Sequence, residues 1–183
     1  MTFPVFSAGE VLRAQDMNAV GLWLVKTQTF SAQTNCDVTA CFSADYENYI
    51  AIVRLSSSAT GQYTNVQLLN GSTPKTTNYS RAGFVTLSTN GTSADSGGTG
   101  QDGWRTGGQS SVSMYSTLKF YRPFTTAPTG YVAESTYTGP SNFQLYWSGG
   151  EQTENYSATG FRVLSSGNSS NYTGTVSVYG YKA

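Results

Sequence analysis

From Leu22 onward the apolar residues recur with a period of two. GLWLVKTQTFSA sets Trp23, Val25, Thr27 and Thr29 against Leu22 and Leu24. The same alternation returns in NCDVTACF, NYIAIVRLS, YTNVQLL, NYSRAGFVTL, SSVSMYSTLKFYRP, YVAESTYT, NFQLYWSG, TGFRVLSS and YTGTVSVYGYK. Side chains alternate across a strand, so this period buries one face of each segment and leaves the other to solvent. The breaks between segments carry Gly, Asn, Ser or Pro, with Asn70-Gly71 as a turn signal. About ten short strands at such spacing predict an all-β fold, an antiparallel β-sandwich or jelly-roll-like domain. No strand–helix–strand alternation is present, which argues against a parallel sheet, and no internal repeat is visible.

A chain of 183 residues and 19.6 kDa suits one domain, or one domain with an arm, and can bury a core without disulfides or metal. Charged residues make up 11%, against about 25% in an average domain. The net charge is zero and Lys and Arg are not clustered, so no nucleic-acid partner is expected. No apolar run reaches membrane-spanning length and no basic, then apolar, leader opens the chain, so neither membrane insertion nor secretion is expected. Cys36 and Cys41 sit in or beside a predicted strand at an odd spacing. A straight strand would point them to opposite faces, and two buried reduced thiols are the expected state. The sequons at Asn70, Asn78, Asn90, Asn155, Asn168 and Asn171 read as by-products of turns rich in Asn, Ser and Thr.

FSAGEVLRAQDMNAV, ahead of the strands, follows a different rule. Ser7 and Glu10 fit a capping box, and a second start is available near Arg13 and Ala14. Met17, Val20 and Leu24 form one stripe at i, i+3, i+7. One helix is expected within residues 9–21.

The stretch from Thr89 to Ser110, TNGTSADSGGTGQDGWRTGGQS, reads as a long loop. Its Trp104 is expected to pack on the same sandwich or on a neighbouring chain. Gly97 to Trp104 match a single calcium-binding nonapeptide, with Asp102 as its candidate ligand. Such turns share ligands with stacked copies, so one copy reads as a Gly-rich loop and no metal or other cofactor is expected. The chain has no histidine, which removes His-activated nucleophiles and the common zinc sites. Two carboxylates suffice for glycoside hydrolysis. Glu134 lies in a predicted strand that faces a groove in that reading, yet nothing in the sequence pairs it with a second acid. Enzymatic activity is not expected.

Trp104, Tyr137, Trp147 and Tyr156 are candidate glycan-binding residues, because aromatic faces and small polar side chains hold sugars. Neighbouring Tyr146 and Trp147 must point to opposite faces of their strand, so one of them serves the core or an interface.

Three blocks resemble a broad group of bacteriophage minor virion proteins of the tail-fibre, head-appendage and decoration kind. FSAGEVLRAQDMNAV is similar to their N-terminal F-x-x-G-x-V-L-x-A-x-D-M-N motif. ACFSADYENYIAIVRL, with Phe42, Tyr46 and Tyr49, resembles a strand entry followed by a tyrosine pair. ATGFRVLSSGNSSNYTGTVSVYGYKA closes on their G-T-x-x-V-Y-G pattern. The chain departs from that group in Arg13, in its Gly-rich stretch and in having no fibre shaft. The resemblance implies a non-enzymatic virion surface protein, a fibre-like tip, head spike or decoration, assembled in the host cytoplasm. It implies a homotrimer that contacts capsid, neck or tail proteins. Residues 1–25 form the expected anchoring arm and 26–183 the β-sandwich domain. Phe6, Leu12, Met17, Val20, Trp23 and Leu24 are the expected docking residues. A host-glycan adhesin is the alternative, and a carboxylate-dependent depolymerase a more distant one.

Overall fold

A computed structural model describes residues 21–59, 63–88, 91–108, 113–138, 143–168 and 170–181. The helix expected within 9–21 lies outside them, save for Gly21, which is a bend. The described residues are almost wholly β, in two antiparallel sheets. The larger sheet runs β1 (Trp23–Gln33), β13 (Tyr172–Tyr181), β3 (Asn48–Ser57), β9 (Met114–Tyr121), β10 (Thr129–Thr138), β11 (Phe143–Gln152), β6 (Tyr79–Leu87), β7 (Gly91–Gln101). The smaller runs β2 (Asn35–Val38), β12 (Gly160–Ser165), β4 (Tyr63–Asn70), β5 (Thr73–Pro74), with β8 (Trp104–Gly108) also paired to β4.

The period of two sorts the side chains as it should. On β3, Tyr49, Ala51, Val53 and Leu55 are buried; on β9, Met114, Ser116, Leu118 and Phe120; on β10, Tyr131, Ala133, Ser135 and Tyr137. From the smaller sheet Cys36, Val38, Phe161, Val163, Val66 and Leu68 meet them in one shared core. The core is built from rings. Phe120 lies 4.9 Å from Phe161 and 5.6 Å from Tyr131, and Tyr131 stacks on Trp104 at 4.5 Å with planes 2° apart. Ring contacts of this kind add to the burial of apolar area.

One expectation needs correction. Within the stretch from Thr89 to Ser110, residues 91–108 are not a loop: they supply β7, an edge strand on β6, and β8, which pairs with β4 and packs on β10 and β11 of the larger sheet. Its glycines lower β-propensity, but they also let backbone approach backbone. A side chain at Gly108 would place its Cβ 2.2 Å from the Tyr137 ring. Inward-facing serines complete the fit: Ser148 donates to the carbonyl of Arg105 at 2.6 Å, and Ser135 bonds to the carbonyl of Thr106. Trp104 therefore packs within its own sandwich. Both thiols are buried and unpaired, as expected, and share one side because the chain between them is not a straight strand. β2 ends at Val38, the chain turns at Ala40 (φ 50), and Cys36 and Cys41 both enter the core, unpaired. Burial pushes both thiols up to about 12.

Candidate binding face

The outer face of an antiparallel sheet is ordinarily polar. Here it is not. Cross-strand register sets Ser177, Ile52, Thr117, Glu134, Trp147 and Phe84 side by side, on β13, β3, β9, β10, β11 and β6. Tyr115 and Val132 stand in the flanking rows. Ile52, Phe84, Tyr115, Val132 and Trp147 are each 36–48% exposed. Apolar residues scattered singly on a surface need no explanation, whereas a contiguous group signals contact.

Trp147 stands between two depressions. The first, about 340 Å³, is lined by Arg54, Tyr115, Thr117, Glu134, Thr136 and Trp147 over Ile52 and Leu145. The second, about 440 Å³, lies among Phe84, Val132 and Trp147, where Ala82 and Gly149 leave the sheet backbone uncovered. The small pair is in register, Ala82 opposite Gly149 and Gly149 opposite Val132, so the gap is a row of missing side-chain volume. Phe84 meets Trp147 edge-on at 5.0 Å between ring centres. The Arg54 guanidinium lies 5.7 Å from the centre of the Tyr115 ring. The Tyr115 phenol is held below its ordinary range by a hydrogen bond with Ser113 and then by the Arg54 charge.

The proposed glycan residues are not brought together. Trp104 is 0% exposed and Tyr137 5%; both are core residues, closed to any sugar by the strands above them. Tyr156 packs against the core with Lys75 over its ring. Of the four, Trp147 offers its ring to solvent, while its neighbour Tyr146 is buried, the split that strand alternation requires. Glu134 does face a depression, and it is the one carboxylate among the residues lining either. Glu151 shares the outer face but stands on β11 four residues beyond Trp147, the residue opposite Glu134, so at the strand rise and one strand spacing it lies about 14 Å from Glu134. That exceeds the separation of about 5–9.5 Å used by carboxylate pairs. Asp102 lies exposed between β7 and β8, and no group of three metal-ligating side chains forms among the described residues.

Of the expected docking residues, Phe6, Leu12, Met17 and Val20 lie outside the described residues. Trp23 and Leu24 begin β1, paired with Gly180 and Tyr179, and Leu24 is 60% exposed at the sheet edge. Sequence reasoning missed Phe84, Tyr115 and Val132. Each looks like an ordinary strand residue, and only cross-strand register reveals them as neighbours. Comparison with protein-family models, with curated proteins and with solved structures gives no match for this chain.

Proposed function

We propose that the chain is a non-enzymatic structural protein of a bacteriophage particle, a surface appendage attached through its N-terminal arm. The observation that carries this reading is the nesting of the strands. β1 pairs with β13, β2 with β12 and β3 with β9, while β13 and β12 also pair with β3 and β4. A long antiparallel hairpin wrapped into two facing sheets has this order, the jelly-roll layout found in viral capsid and lectin domains. β4 and β8 form the fourth nested pair, and β5–β7 with β10–β11 are additions to that frame. The N-terminal and C-terminal motifs supply the link to phage particles. Among the described residues lining the two depressions Glu134 has no second carboxylate beside it, which disfavours the depolymerase reading. Symmetric assembly, a trimer in this proposal, suits a projecting appendage.

Removal of residues 1–21 tests the anchor. The truncated chain is expected to fold and to be missing from purified particles, read by immunoblot. Incorporation at the full-length level would overturn the anchor, and absence of the full-length chain from particles would overturn the virion reading itself. A host-glycan adhesin is the second reading, favoured by the exposed Trp147.

A further inference from the structure

We infer that the outer face of the larger sheet is a binding trough for a short uncharged oligosaccharide, with Trp147 as its central platform and the two flanking depressions as subsites. The inference rests on the adhesin reading and not on the manner of attachment to a particle.

Three features point to this ligand class. The first is the mixture of chemistries. A pyranose ring has an apolar face of C–H groups and a rim of hydroxyls that both donate and accept. The first depression offers that complement: the rings of Trp147 and Tyr115, the donor Arg54, the acceptor Glu134, and the hydroxyls of Thr117 and Thr136. A surface built for a protein partner is expected to be depleted of charge at its centre, yet Glu134 stands in the middle row, between Thr117 and Trp147. The second feature is length. From Arg54 on β3 to Phe84 on β6 the trough crosses four strand spacings, about 19 Å, which suits several sugar rings in line. The row Ala82–Gly149 opens the far depression deep enough for a ring beside the indole. The third is charge. Glu134 holds the central row beside the indole and disfavours an acidic sugar there, while the cations of this face, Arg54 beside Tyr115 and Lys119 opposite Val132, stand in the flanking rows.

The site is also rigid. Its side chains project from the middle of five consecutive paired strands, so little order must be gained on binding. Trp147 and Phe84 brace one another edge-on.

The test uses the full chain. Of its three tryptophans, Trp104 is buried and Trp23 half-buried, so Trp147 fluorescence reports ligand at the trough in the native chain and in Glu134→Gln, and titration calorimetry reads the affinity of every variant, Trp147→Ala included. The chain is first screened on an array of neutral and acidic oligosaccharides. The best neutral trisaccharide or tetrasaccharide is then titrated. Saturable binding is expected, weakened at least tenfold in both Trp147→Ala and Glu134→Gln, with the melting midpoint unchanged in Glu134→Gln. Glu134→Gln keeps shape and removes charge, so it remains informative if the indole also supports the sheet. Three results would overturn the proposal: no saturable binding on the array, binding confined to acidic sugars, or full affinity in either variant. Dissociation of an oligomer by Trp147→Ala, seen by sedimentation, would also overturn it and make the face a subunit contact. None of these outcomes bears on particle attachment, which the N-terminal truncation reads separately.

Discussion

Tyr79 shows how one hydroxyl can tie two elements. Its ring is fully buried, edge-on to Trp104 at 4.8 Å. Its hydroxyl accepts the Leu68 N–H at 2.8 Å and donates to the Lys75 carbonyl at 3.0 Å. β6 is thereby fixed to β4 and to the chain leaving β5. Burial raises the phenol above its ordinary value, so it stays protonated and able to donate. Tyr79→Phe preserves the packing but leaves the buried Leu68 N–H without that acceptor. A loss of about 1–3 kcal/mol is expected, measured by urea unfolding; no change in the midpoint would show that the N–H finds another partner. The sequence marked Tyr79 only as a strand residue, since nothing local names a partner eleven residues back.

At the scale of the element, β13 shows why its motif is rich in glycine. Gly174 has φ +144, and a Cβ there would lie 2.1 Å from the carbonyl oxygen of Arg54 on β3. Gly180 faces the ring of Tyr46, which a Cβ would meet at 2.4 Å. The G-T-x-x-V-Y-G pattern thus holds two places where β13 closes on its neighbours, and Tyr46 belongs to the second block that the sequence singled out. Gly174→Ala should destabilise by about 1–3 kcal/mol from backbone strain alone, with the clash adding more. Thr175→Ala, one residue on, should change the unfolding midpoint far less; equal effects would mean that the glycine is not required. In the smaller sheet, Arg162 on β12 grips Asp37 on β2 in register, with Nε–Oδ1 at 2.6 Å and a second bond at 2.8 Å. The hydrogen bond with Asp37 raises the guanidinium above its ordinary value. Such a fork fixes register more than it adds stability at a partly buried site.

Over the whole molecule, the shared core makes stability depend on alkaline pH. Cys36 and Cys41 have an ordinary value of 9.0 and are pushed up to about 12 by burial; Tyr49, Tyr79 and Tyr131 are also raised, again by burial first. Above pH 9 the unfolded chain releases protons that the folded chain keeps. The unfolded state then binds fewer protons, so stability falls as pH rises. It is fully present below pH 9 and declines from there toward pH 12. A melting temperature that falls steadily over that interval is the expected result, and a flat profile would contradict the burial of these groups. By itself the sequence determined the β class, the antiparallel pairing and the in-or-out sense of most strand residues, because a period of two is a local property of an extended chain. It also determined that Tyr146 and Trp147 part company. Only the tertiary structure decided that the Gly-rich stretch forms β7 and β8, that Trp104 and Tyr137 are interior, and that Trp147 joins Phe84, Glu134 and Tyr115 on one face. Those outcomes depend on register between strands far apart in the chain, and on backbone packing that glycine permits but does not announce.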